Sequence, residues 1–181
     1  MTVLVRLVAL PAVAFGLGLS AVLSGESMVE PPIRKGTSLP VPDMEVVARA
    51  EIVFADVLPD AALAVYDSAS PRIYLHRRLL AQMGPALSAF LVAHEQGHLA
   101  YHHARRHRFG IEPLDTPTGT LWAYEFEADC YAVRALKRER PDAIVAAVRF
   151  FQHRTTTPTD REHPPMGARA DSLLTCLAVA D

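Results

Sequence analysis

Cysteine is scarce in this chain, with two residues among 181, so a disulfide framework of the kind that holds small secreted domains together is excluded. An excess of positive charge is lacking as well. Lys and Arg number 18 against 20 Asp and Glu, a formal charge of −2, and a nucleic-acid partner, which would want a basic face, is not expected. Internal repeats and low-complexity blocks are missing. Apolar residues reach 50% and charged residues 21%, which rules out a disordered polyampholyte. Mean hydropathy is +0.14, high for a soluble domain, and one stretch accounts for it: from Leu7 to Gly25 there is no charge at all. What the chain has in unusual number is histidine. Four of its eight (His94, His98, His102 and His103) fall within ten residues.

Residues 1–25 begin with one positive charge, Arg6, followed by the apolar run Leu7–Leu23 and small residues at Ser20, Ala21, Ser24 and Gly25. This composition fits a secretory signal peptide. The run is long for a signal's apolar region and slightly short for a spanning helix, which needs about 20 residues. Signal peptide and N-terminal membrane anchor (through residues 7–23) therefore both stay open, and either expects an exported domain, periplasmic or extracellular. Residues 26–42 carry Pro31, Pro32, Pro40 and Pro42 and read as an extended linker. The remaining residues, 43–181, are expected to form one domain.

Within that domain the pattern predicts an α+β fold, mostly helical. Asp43 is a cap for a helix carrying Val46, Val47, Ala50, Val53, Phe54 and Val57 and ending at Pro59. Ala62–Tyr66 and Arg72–His76 read as short strands around a turn at Asp67–Pro71. Leu79–Met83 reads as one helical turn, and Gly84-Pro85 opens a long helix running to about Arg106. Residues 110–119 read as a loop. Further helices are expected over Thr120–Lys137, from Pro141, and over Pro164–Ala178, with Leu173, Leu174 and Leu177 inward.

The long helix contains His94-Glu95-Gln96-Gly97-His98. Residues at i and i+4 share a helix face, so both imidazoles can bind one zinc, at about 2.0–2.1 Å, while Glu95 reaches a water on it as general base. Chance occurrence of H-E-x-x-H in a chain of this composition is on the order of 0.02. A catalytic zinc usually takes a third protein ligand. Glu125 and Asp129 share a face of the next helix, whereas Glu127 points away. Glu125 is therefore the third-ligand candidate, and Asp129 can accept the N–H of a ligand imidazole. Ala128 is small enough to let two helices approach. His163 precedes Pro164 and Pro165 in a loop, where it could donate to a tetrahedral oxyanion. Arg169 can orient a carboxylate or stand in solvent. His102, His103 and His107 read as a solvated face. The strand Arg72–His76 is a candidate edge for an extended peptide. Cys130 and Cys176 either pair or remain buried thiols.

H-E-x-x-H followed by E-x-x-x-D resembles the gluzincin metallopeptidases. The finer pattern is similar to the membrane-associated zinc endopeptidases that include the CAAX prenyl proteases and HtpX-type quality-control proteases. The resemblance covers residues 43–175 as an ordered set: Arg72-Ile-Tyr-Leu-His76, His94–His98, Glu125-Phe-Glu-Ala-Asp129 as E-x-x-A-D, and His163-Pro164-Pro165 with Arg169 as H-P-x-x-x-x-R. It implies a zincin-like domain binding one zinc through His94, His98 and Glu125, with Glu95 as base and His163 near the reacting carbonyl oxygen. Well-known members carry several membrane spans and this chain has at most one, which favours a compact exported protease over prenyl-protein processing. The expected function is zinc-dependent endoproteolysis of protein or peptide substrates. The alternative is a catalytically inactive zinc-binding adaptor tethered to the membrane.

Overall fold

The structure, a computed structural model, describes residues 40–58, 60–66, 70–103, 116–157 and 160–179. These belong to one compact unit of the chain, Arg34–Asp181. The signal or anchor segment 1–25, the linker up to residue 39, Pro59, turn residues 67–69, loop residues 110–115 and His107 lie outside the described residues.

Asp43 caps the first helix, α1 (Met44–Ala48), its carboxylate accepting the Val46 N–H at 3.2 Å. The helix expected to continue to Pro59 does not form. Glu51–Ala55 is a strand, β1. Its Ile52, Val53 and Phe54 suit a pleated surface, and the strand Pro71–His76 offers them backbone partners. A long-range ladder thus overrides local helical spacing. With β2 (Ala62–Tyr66) and β3 (Pro71–His76), the sheet has the order β1-β3-β2. β1 runs parallel to β3, Val53 opposite Tyr74, and β2 runs antiparallel to it, Ala64 opposite Ile73. β3 is therefore central and paired on both sides. The strand expected to offer a free edge to a peptide offers none; the edges are β1 and β2.

β3 passes directly into α2 (Arg77–Ala100). Gly84 stands at φ 80°, ψ 167°, a region glycine enters without a Cβ penalty, so segments 77–83 and 85–100 meet at a kink. Ser88 Oγ donates to the Leu80 carbonyl across it at 2.9 Å. The helix stops at Ala100, short of Arg106. Tyr101 ends it, and His102 takes a left-handed φ of 58° that turns the chain back. α3 (Thr118–Leu136), α4 (Pro141–Gln152) and α5 (Met166–Val179) complete the described elements. The fold is α+β, mostly helical, with one small mixed sheet.

Two larger apolar clusters, with a small third around Ala100, Tyr101 and Tyr131, hold these elements. Leu87 and Phe90 of α2 meet Val133 of α3, Ile144 and Phe151 of α4 and Leu173 of α5. Val46, Ile73, Leu75, Leu80 and Leu99 join α1 and the sheet to α2. Of the three leucines on α5 only Leu173 is fully inward; Leu174 and Leu177 are 46% and 41% exposed, a correction to the expected inward stripe. Cys130 and Cys176 form a disulfide between α3 and α5 with Cα atoms 5.4 Å apart and 46 residues of separation. In the chain-entropy view such a link restricts the unfolded chain by about 4 kcal/mol. Among the described residues no helix is long and apolar enough to cross a membrane.

Candidate metal centre

The middle of α2 lies against α3 at unusually short range. A Cβ on Gly97 would stand 2.8 Å from the Ala128 Cα, 3.0 Å from the Ala128 carbonyl oxygen and 3.1 Å from the Tyr131 Cβ. The approach works because position 97 has no side chain and position 128 a minimal one. Gly97→Ala is expected to push the two helices apart and cost roughly 1–3 kcal/mol, since the obstruction is backbone that cannot rotate away. Thermal unfolding with and without metal measures it, and an unchanged Tm would contradict the close contact.

That approach brings three side chains together. His94 Nε2 lies 3.1 Å from His98 Nε2. His94 Nε2 is 3.4 Å from Glu125 Oε2, and His98 Nε2 is 3.1 Å from Glu125 Oε1. Tetrahedral ligands bound at about 2.0–2.1 Å stand about 3.3 Å from one another, so the triangle has the size one metal ion requires. The donor set, two imidazoles and a carboxylate, suits zinc chemistry.

Each group is held from behind. His94 Nδ1 lies 2.9 Å from Asp129 Oδ1. Arg169 of α5 grips the same carboxylate with both arms, Nε to Oδ2 at 2.9 Å and Nη2 to Oδ1 at 2.7 Å, while Nη1 stands 3.4 Å from Glu125 Oε2. Its guanidinium also covers the Phe151 ring, 4.5 Å from the centroid. Arg169 is thus buried and paired rather than solvated. Burial works against the charge of His94, but the carboxylates of Glu125 and Asp129 outweigh it and raise the pKa to about 10. Burial likewise opposes ionisation of Glu125, yet the imidazoles of His98 and His94 hold it well below the usual carboxylate range. Asp129 follows the same logic, with burial overcome chiefly by the Arg169 charge. A metal at this triangle must displace the His94 proton, so binding releases a proton and strengthens as pH rises.

Glu95 is 8% exposed and faces the sheet, where its Oε2 accepts the Ala64 N–H of edge strand β2 at 2.7 Å. His163 sits in the loop before α5, and both its backbone N and its Nδ1 contact the Asp160 carboxylate, at 2.7 Å and 2.9–3.0 Å. Burial would lower its pKa, but the bond to Asp160 and the charge of Glu125 raise it. No ligand-distance contact joins His163 to the triangle among the described residues.

His103 is not part of a solvated face: it is 2% exposed. Its Nδ1 lies 3.3 Å from His98 Nδ1 and its Nε2 lies 2.9 Å from Glu127 Oε2. Burial depresses it to about 4 despite Glu127. His102 is half-buried, 3.3 Å from Asp43 Oδ2. Glu127 points away from the triangle and toward His103. Sequence reasoning missed the His103–Glu127 pair and the role of Asp160. A signal existed for the second, because Asp-x-x-His before Pro-Pro is a side-chain-to-backbone turn pattern. None existed for the first.

Compared with known proteins, the chain matches no family model, and no curated protein or solved structure is significantly similar to it.

Proposed function

We propose that this chain is a zincin-like, zinc-dependent metalloendopeptidase that cleaves protein substrates outside the cytoplasm. The observation that carries the reading is the metal-sized triangle of His94 Nε2, His98 Nε2 and the Glu125 carboxylate, with a second carboxylate, Glu95, next to the first ligand on the same helix. Zinc, when bound there, supplies a Lewis acid for the scissile carbonyl and brings the pKa of water toward about 7. Glu95 takes the proton of the attacking water and returns it to the leaving amine. Its bond to Ala64 N puts the base beside β2, the sheet edge on which an extended peptide can align. Asp160 accepts from His163 Nδ1 and favours the ring's charged form, in which Nε2 can donate to the developing oxyanion. Asp129 and Arg169 hold His94 in the tautomer that frees its Nε2.

Export is supported by the Cys130–Cys176 disulfide, since such links persist in oxidising compartments, and by the apolar, charge-free composition of Leu7–Gly25. The test is stoichiometric metal analysis joined to cleavage of a labelled peptide library. One zinc per chain and cleavage abolished by chelator and restored by zinc are expected. Zinc without cleavage would leave the adaptor reading, and no zinc would end both.

A further inference from the structure

We propose that His103 and Glu127 form a hydrogen-bonded relay that fixes the tautomer of His98 and so sets how tightly the triangle holds a metal, an inference that rests on the metal-site reading above. His98 directs Nε2 toward His94 and Glu125. To ligate through that atom it must carry its proton on Nδ1. That nitrogen faces His103 Nδ1 at 3.3 Å. Of two imidazole nitrogens in contact one donates and the other accepts. With the proton on His98 Nδ1, His103 Nδ1 must be bare and its own proton must sit on Nε2. There it meets a carboxylate oxygen, Glu127 Oε2, at 2.9 Å. Every donor faces an acceptor in this arrangement.

The reverse arrangement fails at both ends. A proton on His103 Nδ1 would leave a bare Nε2 lone pair against the Glu127 oxygen, and would put the His98 proton on the atom aimed at the metal. A doubly protonated His103 could satisfy Glu127, but it would place a full charge on a ring that is 2% exposed. The ring is also clamped. Tyr124 stacks on it with centroids 4.3 Å apart and planes 19° apart, and Tyr101 lies 5.7 Å away on a tilted plane. The two ligand imidazoles are thus supported by carboxylates in different ways. His94 reaches Asp129 directly, and His98 reaches Glu127 through an intervening ring.

Nothing in the spacing of the sequence shows this. Five residues past His98 an unbroken helix would carry His103 off the ligand face. It returns because α2 ends at Ala100 and His102 adopts φ 58°.

Zinc affinity by competition with a chromophoric chelator, together with nitrogen-15 NMR of the histidine rings in the zinc-loaded protein, tests the relay without reference to catalysis. The wild type should show His103 protonated at Nε2 and bare at Nδ1. Glu127→Ala, which removes the acceptor altogether, and His103→Ala should each weaken zinc by about 10–100-fold. His103→Asn, whose amide oxygen takes the place of Nδ1, should recover part of that loss. The double variant His103→Ala/Glu127→Ala should be no worse than His103→Ala alone. Melting of the metal-free variants reports any purely structural damage, which the Asn variant would not reverse. A His103 proton on Nδ1, or zinc affinity in Glu127→Ala within twofold of wild type, overturns the relay while leaving the metal site standing. A wild type that binds no zinc overturns both.

Discussion

Glu95→Gln is expected to keep its zinc and lose cleavage, with turnover falling by about 10²–10⁴-fold, the contribution typical of a positioned general base. The substitution is gentle where it touches the fold. The Gln amide oxygen can still accept the Ala64 N–H that Glu95 Oε2 accepts at 2.7 Å, so the tie between α2 and β2 survives. What disappears is the capacity to take a proton. The neighbouring His94 keeps both of its partners, Glu125 and Asp129, and metal content should stay at the wild-type level. Paired metal analysis and peptide cleavage on the same preparation decide the matter. Undiminished proteolysis would remove Glu95 from the mechanism, whatever the metal content.

The second large effect concerns stability. Arg169→Met should lower the Tm by roughly 10 °C. Asp129 is fully buried, and its carboxylate is gripped by Arg169 in bidentate contact, at 2.7 and 2.9 Å, with His94 Nδ1 as its other partner at 2.9 Å. Removing one member of a buried ion pair typically costs about 3–5 kcal/mol, and here it leaves the two buried carboxylates, Glu125 and Asp129, with only His94 in contact with both to balance them. In a domain of this size each kcal/mol moves the Tm by about 2–4 °C. Methionine keeps an apolar stem against Phe151, so little packing is lost. Adding Asp129→Leu should recover much of the stability by removing the stranded charge. It should not recover zinc affinity, since His94 Nδ1 then lacks its acceptor. Differential scanning calorimetry and a zinc competition titration separate the two consequences. A Tm within about 2 °C of wild type for Arg169→Met would show the pair to be energetically idle.

The candidate metal triangle is legible in the sequence because its geometry is local. His94 and His98 share a helix face by their spacing, and Glu125 and Asp129 share another, so only the meeting of two helices had to be supplied. Gly97 and Ala128, the two small residues at that meeting, are visible in the sequence as well. The readings that failed depended on distant partners. Glu51–Ala55 has helical spacing, but a strand 20 residues downstream offered better pairing. Arg72–His76 was correctly read as a strand and wrongly as an edge, because strand order is not a local property. His103 was assigned to solvent because the left-handed turn at His102 has no glycine to announce it. The bidentate hold of Arg169 on Asp129 joins residues 40 positions apart and follows only from the packing of α5 against α3.

The disulfide has a topological consequence. Cys130 directly follows Asp129, and Cys176 lies beyond Arg169, so the covalent ring they close contains all of α4, the loop bearing Asp160 and His163, and Arg169 itself. The exposed residues 153–157 after α4 lie inside that ring. A single cut there yields two polypeptides but still one molecule. The helix carrying Arg169 stays fastened one residue away from its partner carboxylate. A nicked chain would run as two bands only after reduction.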